Sequence, residues 1–551
     1  MISTVYAENK TSEIRFPLGG IGTGAVSLSG GGSPRFYGLF GTEAERFCHF
    51  ALRADLPNGS KHIRLLNTRK KESGDADCFD PAPFVLRFPS ALLRFESRDF
   101  PGKIELRAFN PFLPINHIDS SIPAAFFEFE IQNTASVPIQ YVLCGAAENP
   151  LPRGLNRFDG DIRCDMKAIC LGSYDDRFDD GALQSAFNAK GLCLATDCED
   201  ASFMLNLPLP QEEADNPRLL LDALSDVPLP STCEKVPPAS GRLVGLLAAH
   251  IGLMPGERKT VRFVLAHYMR HAADFPSEKR LPNNFYGRFF SSAKDCAAYC
   301  FLEWNRLKND SDRFASALYE STLPDAVIEA TGASLSAARS PMLTRAGDNS
   351  LCDVRTLLPL ALSEISPLTA LYPPSLWSME KPAHPTLSGY SAAAELYRCG
   401  EDEQANELLS TLRLLYDGEN GNPFGERDEN GLPTDALSGY RLPAEFCGIQ
   451  YEPEKQSLCF DPLLRFTDRE GYFKCVFGAQ TAYGTLEAGP KYVEMKILWG
   501  EISIRRFGIF SEPKVFYYGG RKICFHTEGN TAVLDYHVKC TPEKGITVIY
   551  D

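Results

Sequence analysis

Of its 551 residues the chain spends only three on tryptophan, nine on histidine and eight on methionine. No run approaches eighteen apolar residues, which excludes a conventional membrane-spanning helix. An excess of basic charge is also missing: 56 Lys and Arg stand against 71 Asp and Glu, a formal net charge of −15 spread along the chain. A nucleic-acid partner, whose phosphates require a basic face, is therefore not expected. The 17 cysteines contain no Cys-x-x-Cys pair, so a zinc ribbon or a thioredoxin-like centre has no basis. Phosphate-loop and EF-hand signatures are absent, and no cofactor is expected. The first residues, Met1-Ile2-Ser3-Thr4-Val5-Tyr6-Ala7-Glu8, lack the basic start and apolar block of a secretory signal, so a cytoplasmic location is the expectation.

In a reducing compartment the scattered cysteines read as buried thiols, the close pairs Cys193/Cys198 and Cys296/Cys300 included. Cys48-His49, the one adjacent Cys/His pair considered as a site, reads as the start of a strand running into Phe50-Ala51-Leu52-Arg53. His267 and His271 fall at a strand end, and the expectation is surface or half-buried side chains and not metal ligands.

What is present is a change of pattern along the chain. Up to about residue 310 there are many short period-two segments broken by Gly, Pro and Asn, such as 125–132, 139–144 and 258–267. They predict a large antiparallel β-sandwich. Segments 151–186 and 207–238, polar or proline-rich, are expected to be surface loops. Helical spacing follows from Phe285 onward, through Cys296, Cys300 and Trp304. Thr322-Leu323-Pro324-Asp325 predicts a helix start with Thr322 as its N-cap. Ala405, Leu408, Leu409, Leu412 and Leu415 predict a helix over 402–415, ended by Asp417-Gly418. From Gly471 strands return, with Val493, Met495 and Ile497 alternating against Tyr492, Glu494 and Lys496. The fold class expected is α+β multidomain: a β-sandwich over 1–310, a shortened helical domain over 311–460 and closing β-strands over 461–551.

Gly20-x-Gly22-x-Gly24 is not a dinucleotide fingerprint, because the spacing is wrong and Ala25-Val26-Ser27-Leu28 continues as strand. Glycine there is expected to permit a bulge or a close backbone approach.

Three groups of residues carry a family resemblance. Phe16-Pro17-Leu18-Gly19-Gly20-Ile21-Gly22-Thr23-Gly24, with Ala108-Phe109-Asn110-Pro111-Phe112-Leu113-Pro114 and Asp119 through Ala125, resembles the amino-terminal β-sandwich of glycoside hydrolase family 116. That family holds the non-lysosomal glucosylceramidases and their bacterial relatives. Leu318 through Asp325, on to Arg339-Ser340-Pro341, resembles the first helix of its (α/α)6 barrel. Tyr416-Asp417-Gly418, Asn422-Pro423-Phe424, 440–452, Tyr483-Gly484-Thr485 and Ile497-Leu498-Trp499-Gly500 resemble the last barrel helices and closing strands.

The resemblance also implies a loss. Between Arg345 and Ser388 lies a short proline-rich interval with room for one helix, near 355–363. In the family that interval holds most of the barrel, with the stretch leading to the nucleophilic glutamate and the acid/base loop. Twelve helices of roughly 12 residues with loops of about 5 need on the order of 200 residues, more than residues 311–460 supply. A retaining glycosidase needs two carboxyl groups about 5–5.5 Å apart, one of them a proton donor. Glu426 and Asp428 align with a Glu-x-Glu of relatives near the sugar; read from the residues alone, they belong to a solvated acidic turn, Gly425 to Gly431. Asp435 stands where relatives carry a sugar-facing arginine. The expectation is a carbohydrate-active protein that binds a carbohydrate or glycoside ligand and lacks the family's nucleophile and acid/base. The alternatives are an active retaining β-glycosidase with relocated carboxylates, a non-catalytic carbohydrate- or protein-binding module, and an internally deleted product. A shortened barrel is further expected to self-associate through an apolar helical face around 356–400.

Overall fold

The computed structural model describes the chain except residues 1–2, 37–46, 75, 150–154, 164–165, 175–189, 210–215, 226–239, 270–283, 338, 340–342, 346–350, 354–388, 426–438, 440, 480 and 551. Its centre is a nine-stranded antiparallel sheet. Across it, the strands run 4–6, 84–87, 90–95, 102–109, 124–133, 258–269, 190–196, 166–174 and 155–163. A five-stranded sheet, ordered 201–208, 243–253, 139–148, 48–55 and 61–65, packs on one face. Strand Ala124–Asn133 shows why: Phe127, Phe129 and Ile131 are buried while Glu128 and Glu130 are only half-buried. Register sets Phe127 beside Phe263 and Phe129 beside Leu106. Phe50 from the second sheet then meets Phe127, Phe129 and Phe263 at ring distances of 5.1, 5.0 and 5.4 Å, the spacing of favourable aromatic pairs.

Two of the expected surface loops are partly regular structure. Within 151–186, strands Leu155–Arg163 and Met166–Tyr174 form a hairpin at the edge of the large sheet. The polar positions misled because an edge hairpin alternates too: Phe158 and Gly160 face the second sheet, where a side chain at 160 would overlap the Phe203 ring. Asp161 faces the other way and pairs with Lys294. Within 207–238, helix Arg218–Ser225 buries Leu220, Leu221 and Leu224 against the five-stranded sheet.

Helix Ala293–Leu302 starts on Ser292, whose side chain accepts from the Asp295 amide. With Trp304 it covers the outer face of the large sheet over Phe109, Phe126 and Ala266. Helix Trp304–Tyr319 continues from it, and Glu128 receives hydrogen bonds from Trp304 Nε1 (3.3 Å) and Lys308 Nζ (2.5 Å). Further described helices span Asp325–Ala337, Gly389–Cys399, Asp402–Leu415 and Leu442–Cys447. The 402–415 helix matches its expected bounds and buries Ala405 and Leu409, while Leu415 is exposed. Thr322 is not an N-cap. Its hydroxyl donates to Phe466 O (2.7 Å) and accepts from Lys474 N (3.0 Å), and the Pro324 carbonyl opens the helix by accepting from Val327 and Ile328. The helix expected near 355–363 lies outside the described residues; Leu351–Asp353 before it pairs with Leu343–Arg345.

The closing strands form two sheets of their own. One is ordered 450–452, 457–459, 502–508, 531–540, 525–528, the other 473–478, 482–488, 492–500, 546–549, 515–518, 521–523. Phe460 against Phe477 (5.1 Å) and Phe507 against Phe516 (5.9 Å) join them. A single continuous cluster of buried apolar side chains runs from the first sandwich through the helices into this second one. Among the described residues no helix is long and apolar enough to cross a membrane.

Candidate functional site

The site is built where the first sandwich meets the helices. The glycine run leaves strand Arg15–Leu18 and lies directly on the loop of Asp119–Ser121. A side chain at Gly20 would come within 2.5 Å of the Ser121 backbone, and the Ile21 amide donates to Ser120 O at 2.8 Å. Close approach is thus what the glycine serves. Ser120 Oγ in turn bonds both the amide and the carbonyl of Leu113, at 2.9 Å each. Asn110 fixes the other side of the loop, its Nδ2 donating to Ile122 O (3.0 Å) and Ala124 O (2.7 Å).

His267 is fully buried, contrary to the surface or half-buried expectation, because strand Arg258–Met269 is covered on both faces at that end. Its Nε2 donates to Thr23 O at 2.8 Å, in the glycine run. Burial, only partly opposed by that hydrogen bond, lowers its pKa to about 4 and keeps the ring neutral. His271 lies outside the described residues.

Arg339, just beyond helix Asp325–Ala337, is the unusual group. It is 0% exposed, with its guanidinium carbon 4.7 Å from the Phe88 ring centre and 5.3 Å from that of Phe16. Nη1 donates to Asn110 O at 3.4 Å; Nε and Nη2 of Arg339 and the side-chain Oδ1 of Asn110 have no partner among the described residues. No described carboxylate pairs with this arginine, and burial lowers its pKa to about 9. Unpartnered donors on a buried cation carry a large desolvation cost.

The described acids around this junction are engaged. Glu329 accepts from Tyr6 OH and from Arg413 Nε, both at 3.2 Å. Burial first, then the Glu329 charge, pushes the Tyr6 phenol well up. Asp119 pairs with Arg306 at 2.7 Å and accepts from Tyr299 OH at 3.3 Å. A groove of about 540 Å³ beside helix Trp304–Tyr319 contains Asp312, Glu320, Thr485 and Leu498. There Asp312 pairs with Arg107 and Glu320 lies 3.6 Å from Arg87. No group of three His, Cys, Asp or Glu residues suited to a metal occurs among the described residues.

Glu426, Asp428 and Asp435 lie outside the described residues; their flanks do not. Asn422 Oδ1 accepts from Arg15 N (3.0 Å), and the Phe424 ring sits 5.1 Å from Phe16, the ring that also carries Arg339. On the other flank Thr331 Oγ1 reaches Gly439 O at 3.4 Å, on the helix that leads to Arg339. The apolar face expected around 356–400 lies outside the described residues up to 388. From 389 on, Tyr390, Ala393, Ala394 and Tyr397 are buried, Tyr397 against Phe446 and Phe466 at 4.8 and 5.8 Å.

The motif residues Asn110 and Arg339 were legible in the sequence as parts of matching segments, but nothing local marked them as a pair. A lone arginine after a helix reads as surface unless its distant partners Phe16 and Phe88 are known.

Similar solved structures include a putative kojibiose phosphorylase from the human microbiome, at 8% identity over 98% of each chain and a TM-score of 0.37. A family GH92 α-mannosidase from Bacteroides thetaiotaomicron shares 10% identity, covering 63% of this chain and 42% of its own, at a TM-score of 0.28. Superpositions this loose carry no functional argument. No curated protein matches the sequence. The family model for the amino-terminal domain of glycosyl-hydrolase family 116, described as beta-glucosidase 2, matches residues 15–307, more than half the chain and all of the first sandwich but its edge strand 4–6. On that match the chain belongs to glycoside hydrolase family 116.

Proposed function

We propose that this chain is a carbohydrate-active member of its family that binds a sugar at the sandwich–helix junction and has lost the family's nucleophile and acid/base. The observation that carries the reading is the unfilled set at the junction: the Nε and Nη2 donors of Arg339 and the side-chain amide oxygen Oδ1 of Asn110. A sugar hydroxyl donates and accepts at once, so it matches such a mixed set, where a simple anion would match only the donors. Membership of family 116 supports a glycoside as the ligand class. The engagement of Glu329 by Arg413 and Tyr6 supports the loss of chemistry, since a general acid has to be free to give its proton.

A second reading, an active retaining β-glycosidase on relocated carboxylates, is favoured by one observation. Phe424, two residues before Glu426, rests on the same Phe16 ring as Arg339. Glu426 and Asp428 are proposed as substrate-binding residues in either reading. The test is calorimetric binding and hydrolysis of a panel of chromogenic α- and β-glycosides. The expected result is binding without turnover, weakened at least tenfold in Arg339→Met and in the double variant Glu426→Gln, Asp428→Asn. Turnover that the double variant abolishes would move the second reading to the front. Folded protein that neither binds nor hydrolyses any glycoside would overturn both.

A further inference from the structure

The side chains of fourteen cysteines are described, all as free thiols, and two of them face each other across neighbouring strands of the large sheet. Cys170 on Met166–Tyr174 and Cys193 on Lys190–Thr196 are register partners, with their sulfur atoms 3.6 Å apart. Directly opposed residues of an antiparallel pair have Cα atoms about 4.5–5.5 Å apart, inside the range of about 4.4–6.8 Å that a disulfide spans. Forming the bond therefore needs a sulfur shift of roughly 1.5 Å by side-chain rotation and no strand movement. The two thiols differ in access: Cys193 is fully buried, whereas Cys170 is half-buried on the outer side. The hydrogen bond from Cys170, then burial, pushes the Cys193 thiol well up from its ordinary range, so the reaction has to start at Cys170.

We propose that Cys170 and Cys193 are a modification site, a dithiol that a peroxide converts to a cross-strand disulfide. In the first step the Cys170 sulfur attacks one oxygen of hydrogen peroxide. The O–O bond breaks, Cys170 becomes a sulfenic acid and one water leaves. In the second, the Cys193 sulfur attacks the Cys170 sulfur. The S–O bond breaks, and the hydroxyl departs with the Cys193 proton as a second water. Two thiols lose two electrons in total and the peroxide is reduced to water. The bond closes a loop over residues 171–192 and ties together the two strands that lie beneath helix Ala293–Leu302.

The full chain is treated with hydrogen peroxide at the level that oxidises its exposed cysteines, Cys399 and Cys524. It is then digested without reduction by trypsin and by cleavage before Asp197, which separates Cys193 from Cys198. The expected product is a linked pair of peptides containing Cys170 and Cys193, 2 Da lighter than their sum. It should be accompanied by a rise of roughly 3 °C in the unfolding midpoint that dithiothreitol reverses. Cys170→Ser, at the half-exposed position, should keep the circular dichroism of the parent and show neither change. Cys170 recovered unmodified, overoxidised to sulfinic acid, or joined to Cys296 or any other cysteine would overturn the proposal.

Discussion

In the first sandwich a strand such as Ala124–Asn133 is held along both edges by registered partners and on both faces by rings or a helix. Helix Asp325–Ala337 also buries an apolar face, Val327, Ile328, Ala330, Ala333 and Leu335, in the same core, but adds to it a few specific polar contacts. Glu329 reaches Arg413 and Tyr6, Thr331 reaches Gly439, and Thr322 just ahead of it clips the closing sheet. The sandwich spreads its stability over many small apolar increments. The helical part adds to its apolar burial polar links whose partners lie 84 residues away or more. Many small apolar increments on one side and identifiable polar links on the other set what a substitution does.

The largest effect is expected in the middle of the sandwich. Phe50→Ala removes a ring that touches three others and should lower unfolding free energy by about 4 kcal/mol, read from urea denaturation. A loss below about 1 kcal/mol would show that the two sheets are not held by this ring cluster. Acid should act next. His267 is neutral in the fold, with a pKa near 4, whereas an unfolded histidine titrates near 6.5. As pH falls from about 6.5 to 4, the unfolded chain takes up a proton there that the folded chain refuses. Stability therefore declines across that window, by on the order of 3 kcal/mol in full. Denaturation midpoints measured from pH 7 to 4 should fall less steeply in His267→Gln, and equal slopes would remove the histidine from the account.

In the helical part, Glu329→Gln takes the Glu329 carboxylate away from Arg413, whose side chain is only 6% exposed. A cost of about 2–3 kcal/mol is expected, and the double change Glu329→Gln, Arg413→Met should recover part of it. If the double variant is no better than the single one, the pair is not the polar link described above. Thr322→Val should cost about 1–2 kcal/mol, because the Lys474 amide loses its acceptor and the Phe466 carbonyl its donor. A neutral outcome would mean the closing sheet is held by its apolar contacts alone.

The sandwich was legible for the same reason that it is robust. Period-two alternation at Phe127, Phe129 and Ile131 reports an element and its buried face together. The 402–415 helix was legible to the residue, because Ala405 and Leu409 set its inner stripe and Asp417-Gly418 its end. Thr322 misled because its local signature for a cap is outweighed by Lys474 and Phe466, which come together with it only in the fold. The hairpin 155–174 was hidden by Asp159 and Asp161, which alternate with Phe158 and Gly160 along its first strand. Arg339 and Asn110 were invisible as a pair, since an unpartnered buried charge is a property of three dimensions and has no spacing in the sequence.

One contact also bears on how the protein is made. Arg15 and Asn422 are bonded across 407 residues, and Phe16 receives the Phe424 ring beside them. At roughly 5–20 residues per second, a ribosome needs on the order of half a minute to travel that distance. Throughout that time the nascent sandwich carries an uncovered patch of aromatic side chains around Tyr6, Phe16 and Phe84. The aromatic patch of the first sandwich is thus closed only by the last third of the chain, the part that is made last.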